Sequence, residues 1–426
     1  MKGNIVSVFL WGREICKLQW QGGYKQGFGK LGSLVSFSPE YVSYGWDLDP
    51  IGPYNSSVYL VQRGMSDWCR ATENEGLPRF LSGSLPDDWG NAVLGAWVDS
   101  RHIRHSEVTP VDKLAFIGKR GMGALEFVPA LYEGLSPESS LEVKELYELS
   151  KQVQRTREGA SLDLAAHPGL ADLMAVGTSA GGMHPKAIVA INWNSGEVKS
   201  GQFLLPEDFT QYILKFNDSD IWPTAEIELV YSRMAQKCGI AMENCRLLPA
   251  EGKNHFLTER FDRKKGGKLH TASLHALNGE TESYEHLLAV CRKMRLPYAD
   301  IEQVFRRAVF NYLALVCDDH DKNFSFIMHP DGHWRFSPAY DVTFTENLGN
   351  KFIGDRHVLS LSGQNRRLSR QDILDFGRLC DIKNPSHILE EIMDAVGSFD
   401  SLAAETGIDN SIVSLVSERI KAHSVA

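Results

Sequence analysis

Residues 317–324, CDDHDKNF, carry the side chains of this sequence that could do chemistry. Three acids, a histidine, a lysine and an amide follow directly after an apolar segment. Carboxylate and amide oxygens are ligands that calcium and magnesium accept, and a carboxylate can also take a proton from a hydroxyl group. The stretch is therefore a solvated loop, a calcium site or a catalytic loop.

The calcium interpretation fails at two positions of the loop. Asp319, Asp321 and Asn323 match the alternating ligands that open an EF-hand loop. The sixth position of such a loop needs glycine for its sharp turn and the twelfth needs glutamate, but Phe324 and Pro330 stand there. A solvated loop leaves unexplained why the charges lie between an apolar helix and an apolar strand.

Phosphoryl transfer explains more of the pattern. Protein kinases separate a catalytic Asp from a metal-binding Asn by five residues and place a second metal-binding Asp beyond a hairpin. Asp318 and Asn323 are five residues apart, FSFIMH and HWRFS flank the turn residues Pro330-Asp331-Gly332, and the next acid is Asp341. We therefore predict that Asp318 orients an acceptor hydroxyl and that Asn323 and Asp341 bind magnesium.

A kinase also needs groups that hold the nucleotide, and these are expected upstream. Residues 178–186, TSAGGMHPK, form a glycine-rich loop whose N–H groups can face phosphate, although such a loop is more often a plain turn. Lys215 follows on a predicted strand, where it is either a phosphate-binding lysine or an edge-strand lysine. A helix with Glu226 and Glu228 and then the stretch LTERFDR, a candidate hinge, come next. Their order along the chain is that of a kinase.

The elements that must position these groups change character along the chain. Residues 4–20 read as two strands joined at Trp11-Gly12-Arg13, a helix is predicted from Asp88, and another is predicted to begin at Pro137. Apolar residues at helical spacing continue from Ile301 to Val316, and Ser369 with Asp372 forms a predicted capping box. We predict an α+β, two-lobed fold with segments 1–132 (β-rich), 133–258 (phosphate loop and lysine strand) and 259–426 (mainly helical).

Composition excludes several classes of function. The 426 residues are 43% hydrophobic and carry a net charge of −9, which gives no general attraction to nucleic acid. Arg366, Arg367 and Arg370 are a local basic patch that we interpret as a solvated face. The first residues lack the pattern of a signal peptide, and no window resembles a membrane span. The seven scattered cysteines disfavour disulfides and zinc, so the expected location is the cytoplasm.

Taken together, these motifs resemble the HipA family of serine/threonine kinases, the toxins of bacterial toxin–antitoxin pairs. FLSGSLPDDW is similar to the F-x-x-L-L-P-D signature of that family, and GKRGMGALEFVP to its G-x-x-x-x-G-A-L-x-x-x-P segment. GGMHPKA resembles the phosphate loop, ERFDR the hinge and SLHAL the S-x-x-x-L motif. DDHDKNFS and AYDV resemble the catalytic and metal-binding loops.

The resemblance implies a role for each matching residue. Asp318 would be catalytic, Asn323 and Asp341 would bind Mg²⁺, and Ser179 would be the site of autophosphorylation that switches the kinase off. The adenine would meet the backbone of the hinge, and the other positions would surround the ATP. The implied ATP-binding residues are Ala180, Gly181, Gly182, Met183, His184, Lys186, Lys215, Glu259, Arg260, Phe261, His320, Lys322 and Tyr340.

Partners and targets are likewise implied by the resemblance. Kinases of this type arrest growth by phosphorylating a translation component, such as an aminoacyl-tRNA synthetase. They bind a HipB-like helix-turn-helix antitoxin, which supplies the contact with DNA.

One position departs from the family pattern, because Asp319 stands where the family has glycine. A second carboxylate there is expected to add negative charge near the magnesium or to recruit another metal, and it loses glycine's access to positive φ. The main alternative is therefore a nucleotide-binding pseudokinase that acts by binding an antitoxin-like partner. A small-molecule kinase and a metal-dependent phosphatase are further alternatives.

Overall fold

The structure is a computed structural model that describes residues 5–22, 31–55, 60, 64–132, 135–136, 138–157, 169–178, 182–203, 205–264, 267–349 and 354–424. Contacts divide the chain into two compact units. The first contains Met1–Asp218, Pro249–Ala272 and Met328–His333, and the second contains Ser219–Leu248, Ser273–Ile327 and Trp334–Ala426. Among the described helices, none is long and apolar enough to cross a membrane.

The alternating residues at the start of the chain form an antiparallel sheet in the first unit. Its order is β4-β3-β2-β1-β5, and Val6, Val8 and Leu10 of β1 are buried. Trp11 and Gly12 both have positive φ, as a two-residue turn of type I′ requires, so the predicted hairpin is confirmed. The strands are β1 (Ile5–Leu10), β2 (Arg13–Gln21), β3 (Gly32–Phe37), β4 (Ser66–Arg70) and β5 (Leu125–Val128).

Helices connect this sheet to the next one. The helix predicted from Asp88 is present, whereas the helix predicted from Pro137 begins only at Val143; Pro137 itself lies outside the described residues. The apolar residues Leu146, Leu149 and Val153 of the later helix are buried. The helices are α1 (Arg79–Ser82), α2 (Asp88–Ser100), α3 (Pro110–Ile117), α4 (Val143–Arg157) and α5 (Leu170–Gly177).

A second antiparallel sheet positions the predicted lysine strand. In the first unit its strands follow the order β7-β6-β8-β10, and every residue of β6 is buried. The strands are β6 (Lys186–Ile191), β7 (Val198–Ser200), β8 (Thr210–Lys215), β9 (Cys245–Ala250) and β10 (Lys253–Glu259). Three short strands follow, β11 (Arg263–Lys264), β12 (Gly267–Lys268) and β13 (His270–Ser273).

The second unit is mainly helical around one buried helix. The stripe predicted from Ile301 to Val316 is buried throughout, but the helix ends at Leu313, and Leu315 adopts a positive φ of 58°. The predicted capping box of Ser369 and Asp372 is present. The helices are α6 (Thr224–Lys237), α7 (Leu274–Asn278), α8 (Tyr284–Lys293), α9 (Tyr298–Leu313), α10 (Arg370–Leu379), α11 (Pro385–Val396), α12 (Phe399–Ala404) and α13 (Asn410–Ala422).

The hairpin predicted after the acidic loop is also present. Its strands are β14 (Ser325–Met328) and β15 (Trp334–Phe336), and Gly332 in the turn has a φ of 85°. Strands dominate the first part of the chain and helices the second, so the predicted α+β class is confirmed.

Candidate active site

The acidic loop follows directly after the end of helix α9. Residues of the second unit hold the backbone at this point by hydrogen bonds. The hydroxyl of Tyr231 donates to the carbonyl of Ala314 over 2.7 Å. The N–H of Thr345 donates to the carbonyl of Leu315 over 3.1 Å, and the Thr345 hydroxyl accepts from the N–H of Asp318 over 2.9 Å. The position of the Asp318 backbone is thereby fixed on the side of residue 345.

The three acids of the loop lie in three different environments. The Asp318 side chain is 60% exposed. Asp321 accepts hydrogen bonds from the His275 ring over 3.0 Å and from the N–H of Thr281 over 3.2 Å. Asp319 is fully buried. Of these carboxylates, that of Asp318 is the one open to a substrate.

One pocket of the second unit brings together the three residues predicted to carry the chemistry. Asp318, Asn323 and Asp341 all line it. The Asn323 Nδ2 donates to the carbonyl of Asp318 over 2.8 Å, which leaves the amide oxygen as the atom that can bind a metal. Asp341 has a φ of 53°. This backbone conformation is uncommon for residues other than glycine and often occurs at functional positions.

The donor set of this pocket fits magnesium. The carboxylate of Asp341 and the amide of Asn323 supply hard oxygen ligands, and magnesium usually keeps several waters besides one or two protein carboxylates and substrate phosphates. Clusters of three or more His, Cys, Asp or Glu side chains able to hold a metal do not occur among the described residues. All seven cysteines are free thiols.

The acidic loop is shaped by hydrogen bonds among three residues predicted to bind ATP, His320, Lys322 and Tyr340. The His320 Nδ1 accepts from the N–H of Lys322 over 3.2 Å and so caps the short 3-10 turn Asp321–Asn323. The Tyr340 hydroxyl donates to the carbonyl of Lys322 over 2.7 Å, and Tyr340 also lines the pocket. Tyr340 therefore connects the loop of Asp318 to the loop of Asp341.

Arg307 is a pocket residue that the sequence interpretation missed. Its guanidinium is buried, lies 4.2 Å from the centre of the Phe336 ring and donates to the carbonyl of Ser337. Burial lowers the pKa of Arg307 to about 10, so the group stays charged at neutral pH. It supports the segment that leads to Asp341, a role that helical periodicity alone did not indicate.

The structure describes only part of the predicted phosphate loop, and that part belongs to the first unit. Ser179, Ala180 and Gly181 fall outside the described residues. Met183 and His184 are exposed, and the His184 ring lies 3.5 Å from the carboxylate of Asp218. The hydrogen bond from His184 lowers the pKa of Asp218.

The two predicted phosphate-binding lysines are direct partners across the sheet. Lys186 of β6 stands opposite Lys215 of β8. The Nζ of Lys215 also lies 5.5 Å from the centre of the Phe256 ring. Lys186 is only 5% exposed, and a Cβ atom at Gly182 would lie 2.5 Å from its Nζ. Glycine at 182, with a φ of 106°, lets the loop approach the ammonium group.

The segment LPDDW holds the end of the phosphate loop, a function that its sequence did not reveal. Asp87 accepts from the N–H of Gly182 over 2.9 Å, and the N–H of Trp89 donates to the Gly182 carbonyl over 3.1 Å. The Trp89 indole donates to the carbonyl of Lys186 over 2.8 Å. A Cβ atom at Gly90 would lie 2.5 Å from the Thr178 carbonyl oxygen.

The predicted hinge contains a fully buried ion cluster. The Arg260 guanidinium makes two hydrogen bonds of 2.9 and 2.8 Å to the Asp262 carboxylate, and Arg263 makes a third of 2.7 Å. Asp262 also accepts from the N–H of Gly123 over 2.6 Å. Burial alone would raise the pKa of Asp262, but the two arginines outweigh it and lower this pKa to about 2.

This arrangement reduces the number of hinge residues that could contact adenine. The Arg260 side chain is bound to Asp262 in this cluster. The backbone N–H of Arg260 donates to the carbonyl of Gln211 over 2.9 Å. The Glu259 side chain accepts from the Tyr212 hydroxyl over 3.4 Å. Backbone groups of Glu259 and Phe261 remain candidates for a base, whereas Arg260 acts as a structural residue.

The fold agrees with the comparison to known families. Residues 6–128 match the HipA N-terminal domain, and residues 178–403 match the HipA-like C-terminal domain. The second match covers more than half of the chain, so this protein belongs to the HipA family.

Individual relatives share less than a third of their residues with this chain over the matched regions. The HipA chain of a HipA–HipB–operator DNA complex from Shewanella oneidensis MR-1 superposes with a TM-score of 0.66 at 17% identity. The match covers 98% of this chain and 96% of that one. A putative kinase from Haemophilus influenzae is 29% identical over 150 residues, 30% of this chain and 44% of that relative, which is less than half its length. The Helicobacter pylori kinase CtkA gives a TM-score of 0.39 at 11% identity over 57% of this chain and 89% of that one.

Proposed function

We propose that this protein is a serine/threonine protein kinase of HipA type that uses ATP and Mg²⁺. The observation that carries the proposal is the shared pocket of Asp318, Asn323 and Asp341, in which Asp318 is the exposed acid. Membership of the HipA family supports the same class of activity.

Each residue of the pocket has a distinct task in this reaction. Asp318 orients the acceptor hydroxyl and accepts its proton as the oxygen attacks the phosphoryl group. Asn323 and Asp341 would hold the metal through their oxygens. When bound, Mg²⁺ supplies positive charge that offsets the charge of the transferring phosphoryl group. Arg307 and Tyr340 keep the two loops in place by their contacts with the Ser337 and Lys322 carbonyls.

The nucleotide would be held by residues of the first unit. Lys186 and Lys215 are paired on the neighbouring strands β6 and β8, and they would neutralise the phosphates. Backbone groups of Glu259 and Phe261 would meet the adenine. The N–H groups of Ala180 and Gly181 would face the phosphate, Met183 and His184 would border it, and the N–H of Gly182 is bound to Asp87.

Targets and regulation complete the proposal. The substrate would be a translation component, an aminoacyl-tRNA synthetase being the foremost candidate, and its phosphorylation would arrest growth in the cytoplasm. Ser179 would be autophosphorylated as the off-switch. The Shewanella HipA was solved with HipB and its operator DNA, and by analogy a HipB-like antitoxin would bind this chain and provide its contact with DNA.

The experiment is transfer of labelled phosphate from ATP in the presence of Mg²⁺. Wild-type protein should label itself at Ser179 or label a protein of the lysate, and Asp318→Asn should lose about 10²-fold or more in rate, because general bases contribute that much. Asp331→Asn is the matched control, since Asp331 is an exposed acid in the β14–β15 turn. Equal transfer by wild type and Asp318→Asn contradicts the proposal.

The pseudokinase alternative makes a different prediction. It expects ATP binding without phosphate transfer, and it depends on the carboxylate of Asp319 disturbing the metal site. Four hydrogen bonds within the protein occupy this carboxylate, and Asp319 is absent from the residues with positive φ, which favours the active kinase. Transfer that appears only in Asp319→Gly would support the alternative instead.

A further inference from the structure

We propose that Asp319 is a positioning residue that fixes the catalytic loop to residues 357–359. This inference rests on the proposed kinase function for its catalytic consequence. Its structural part, the connection of two segments by one buried carboxylate, is independent of that function. Asp319 itself touches no reacting group in this scheme.

The Asp319 carboxylate accepts four hydrogen bonds inside the second unit. Its Oδ2 accepts from the Tyr284 hydroxyl over 2.7 Å and from the Nδ1 of His357 over 3.0 Å. Its Oδ1 accepts from the N–H of Val358 over 2.8 Å and from the N–H of Leu359 over 3.2 Å. The side chains of Asp319 and His357 are both fully buried.

The donors of this cluster are themselves held in place. The Asn311 amide on helix α9 donates to the Tyr284 hydroxyl over 2.9 Å, and the His357 ring stacks on Tyr312 with 3.9 Å between ring centres. Burial, followed by the charge of Asp319, raises the pKa of Tyr284 far above its ordinary value, so this residue remains a hydroxyl donor. A buried carboxylate without partners would be strongly unfavourable, and these donors satisfy it.

The arrangement determines where Asp318 points. Anchoring Asp319 inside the unit fixes the backbone next to Asp318, whose side chain stays exposed, and both residues line the pocket. The N–H of Val358 also donates to the carbonyl of Cys317 over 3.2 Å. Residues 317–319 are therefore held by Thr345 on one side and by residues 357–359 on the other.

The segment of residues 357–359 also offers a surface beside Asp318. Val358 is 53% exposed while its backbone is bound to the catalytic loop. Asp318 is the residue proposed to receive the acceptor hydroxyl, so the role of Asp319 concerns the acceptor side of the reaction, and the proposed nucleotide contacts are made by other residues.

The test compares Asp319→Asn and Tyr284→Phe with wild type in two measurements. A misplaced catalytic group lowers turnover by about 10²-fold, so kcat for the protein acceptor should fall by about that factor in Asp319→Asn. The KM for ATP should change by less than about twofold, because uniform loss of binding is not expected. Tyr284→Phe should fall less, because it removes one of four hydrogen bonds.

The second measurement is amide hydrogen exchange and does not need activity. Exchange at Val358 and Leu359 should accelerate about tenfold or more in Asp319→Asn, because both N–H groups lose their charged acceptor. Asp321→Asn is the matched control, since Asp321 bonds His275 and Thr281 and should leave these two amides unchanged.

The outcomes separate this inference from the proposed function. Unchanged exchange at Val358 and Leu359 in Asp319→Asn overturns the structural connection. Wild-type kcat in both Asp319→Asn and Tyr284→Phe, with loss in Asp318→Asn, overturns the positioning role and leaves the kinase intact. If Asp319→Asn does not fold, Tyr284→Phe decides: a lowered kcat at unchanged KM for ATP supports the inference, and an unchanged kcat overturns it.

Discussion

Asp262 in the first unit and Asp319 in the second unit are fully buried carboxylates that join segments distant in sequence, and they are neutralised in different ways. Asp262 in the first unit is paired with the guanidinium groups of Arg260 and Arg263. Asp319 in the second unit is held by a tyrosine, a histidine and two backbone N–H groups. We call the first the ionic cluster, for its two arginines, and the second the dipolar cluster, for its hydroxyl and backbone N–H donors.

The difference shows what each cluster can tolerate. In the first unit, removing the acid leaves two buried cations facing each other, because Arg260 and Arg263 approach the same carboxylate. In the second unit, removing the charge leaves hydroxyl, ring and backbone donors without a charged acceptor, and the cluster contains no arginine or lysine. The ionic cluster should therefore be the more sensitive of the two to loss of its acid.

The largest effect is expected from Asp262→Asn. Breaking a buried ion pair by removing one partner is destabilising by about 3–5 kcal/mol, and two arginines depend on this carboxylate. Urea unfolding should show this loss, and hydrogen exchange should accelerate in peptides of the first unit. Asp331→Asn, at an exposed acid of the same unit, should stay within about 0.5 kcal/mol of wild type. A loss below about 1 kcal/mol for Asp262→Asn would remove the distinction between the clusters.

A smaller loss is expected from Asp319→Asn. The Tyr284 hydroxyl and the His357 ring lose a charged acceptor, and hydrogen bonds to charged groups contribute about 1.5–3 kcal/mol. Exchange should now accelerate in peptides of the second unit and not of the first. A loss equal to that of Asp262→Asn, measured by the same urea titration, would show that the dipolar cluster is as sensitive as the ionic one.

The sequence predicted those parts of the site that depend on local spacing. Asp318, Asn323 and the hairpin before Asp341 lie within 24 residues, and a short range leaves few ways to arrange them. The strand of Lys215 and the buried helix of Ile301 were found because periodicity reports local structure. The start predicted at Pro137 was wrong and the helix begins at Val143, since proline near an acidic residue also fits the turn that the structure shows at Glu138.

Long-range contacts could not be predicted from one sequence. The bonds of Asp87 to Gly182 and of Asp262 to Gly123 join residues 95 and 139 positions apart. Nothing in composition or periodicity reports such pairs. Asp319 was expected to disturb the metal site because its charge was visible, whereas its orientation depends on His357, 38 residues later.

The ionic cluster also predicts how stability responds to acid. The pKa of Asp262 is about 2 in the folded protein, below its value of about 3.9 in an unfolded chain. Its contribution is therefore fully present above about pH 4 and is lost as the pH falls towards 2. Between pH 5 and pH 3 this residue should account for about 1 kcal/mol of lost stability. Urea titrations at both pH values should show that loss in wild type, and Asp262→Asn should reduce it; equal slopes in the two proteins would contradict the assignment.

The smallest effect on stability is expected at Asp318, next to the dipolar cluster. Its side chain is 60% exposed, and the contacts that hold residue 318 use backbone atoms, which Asp318→Asn retains. Surface substitutions of this kind stay within about 0.5 kcal/mol, yet the same change should abolish phosphate transfer if Asp318 accepts the hydroxyl proton. Measured beside Asp319→Asn, it separates chemistry from support at two adjacent carboxylates: Asp318→Asn should lose activity at full stability, and Asp319→Asn should lose both. A destabilised Asp318→Asn protein would mean that the exposed acid also holds the loop, and the division of roles between the two neighbours would fail.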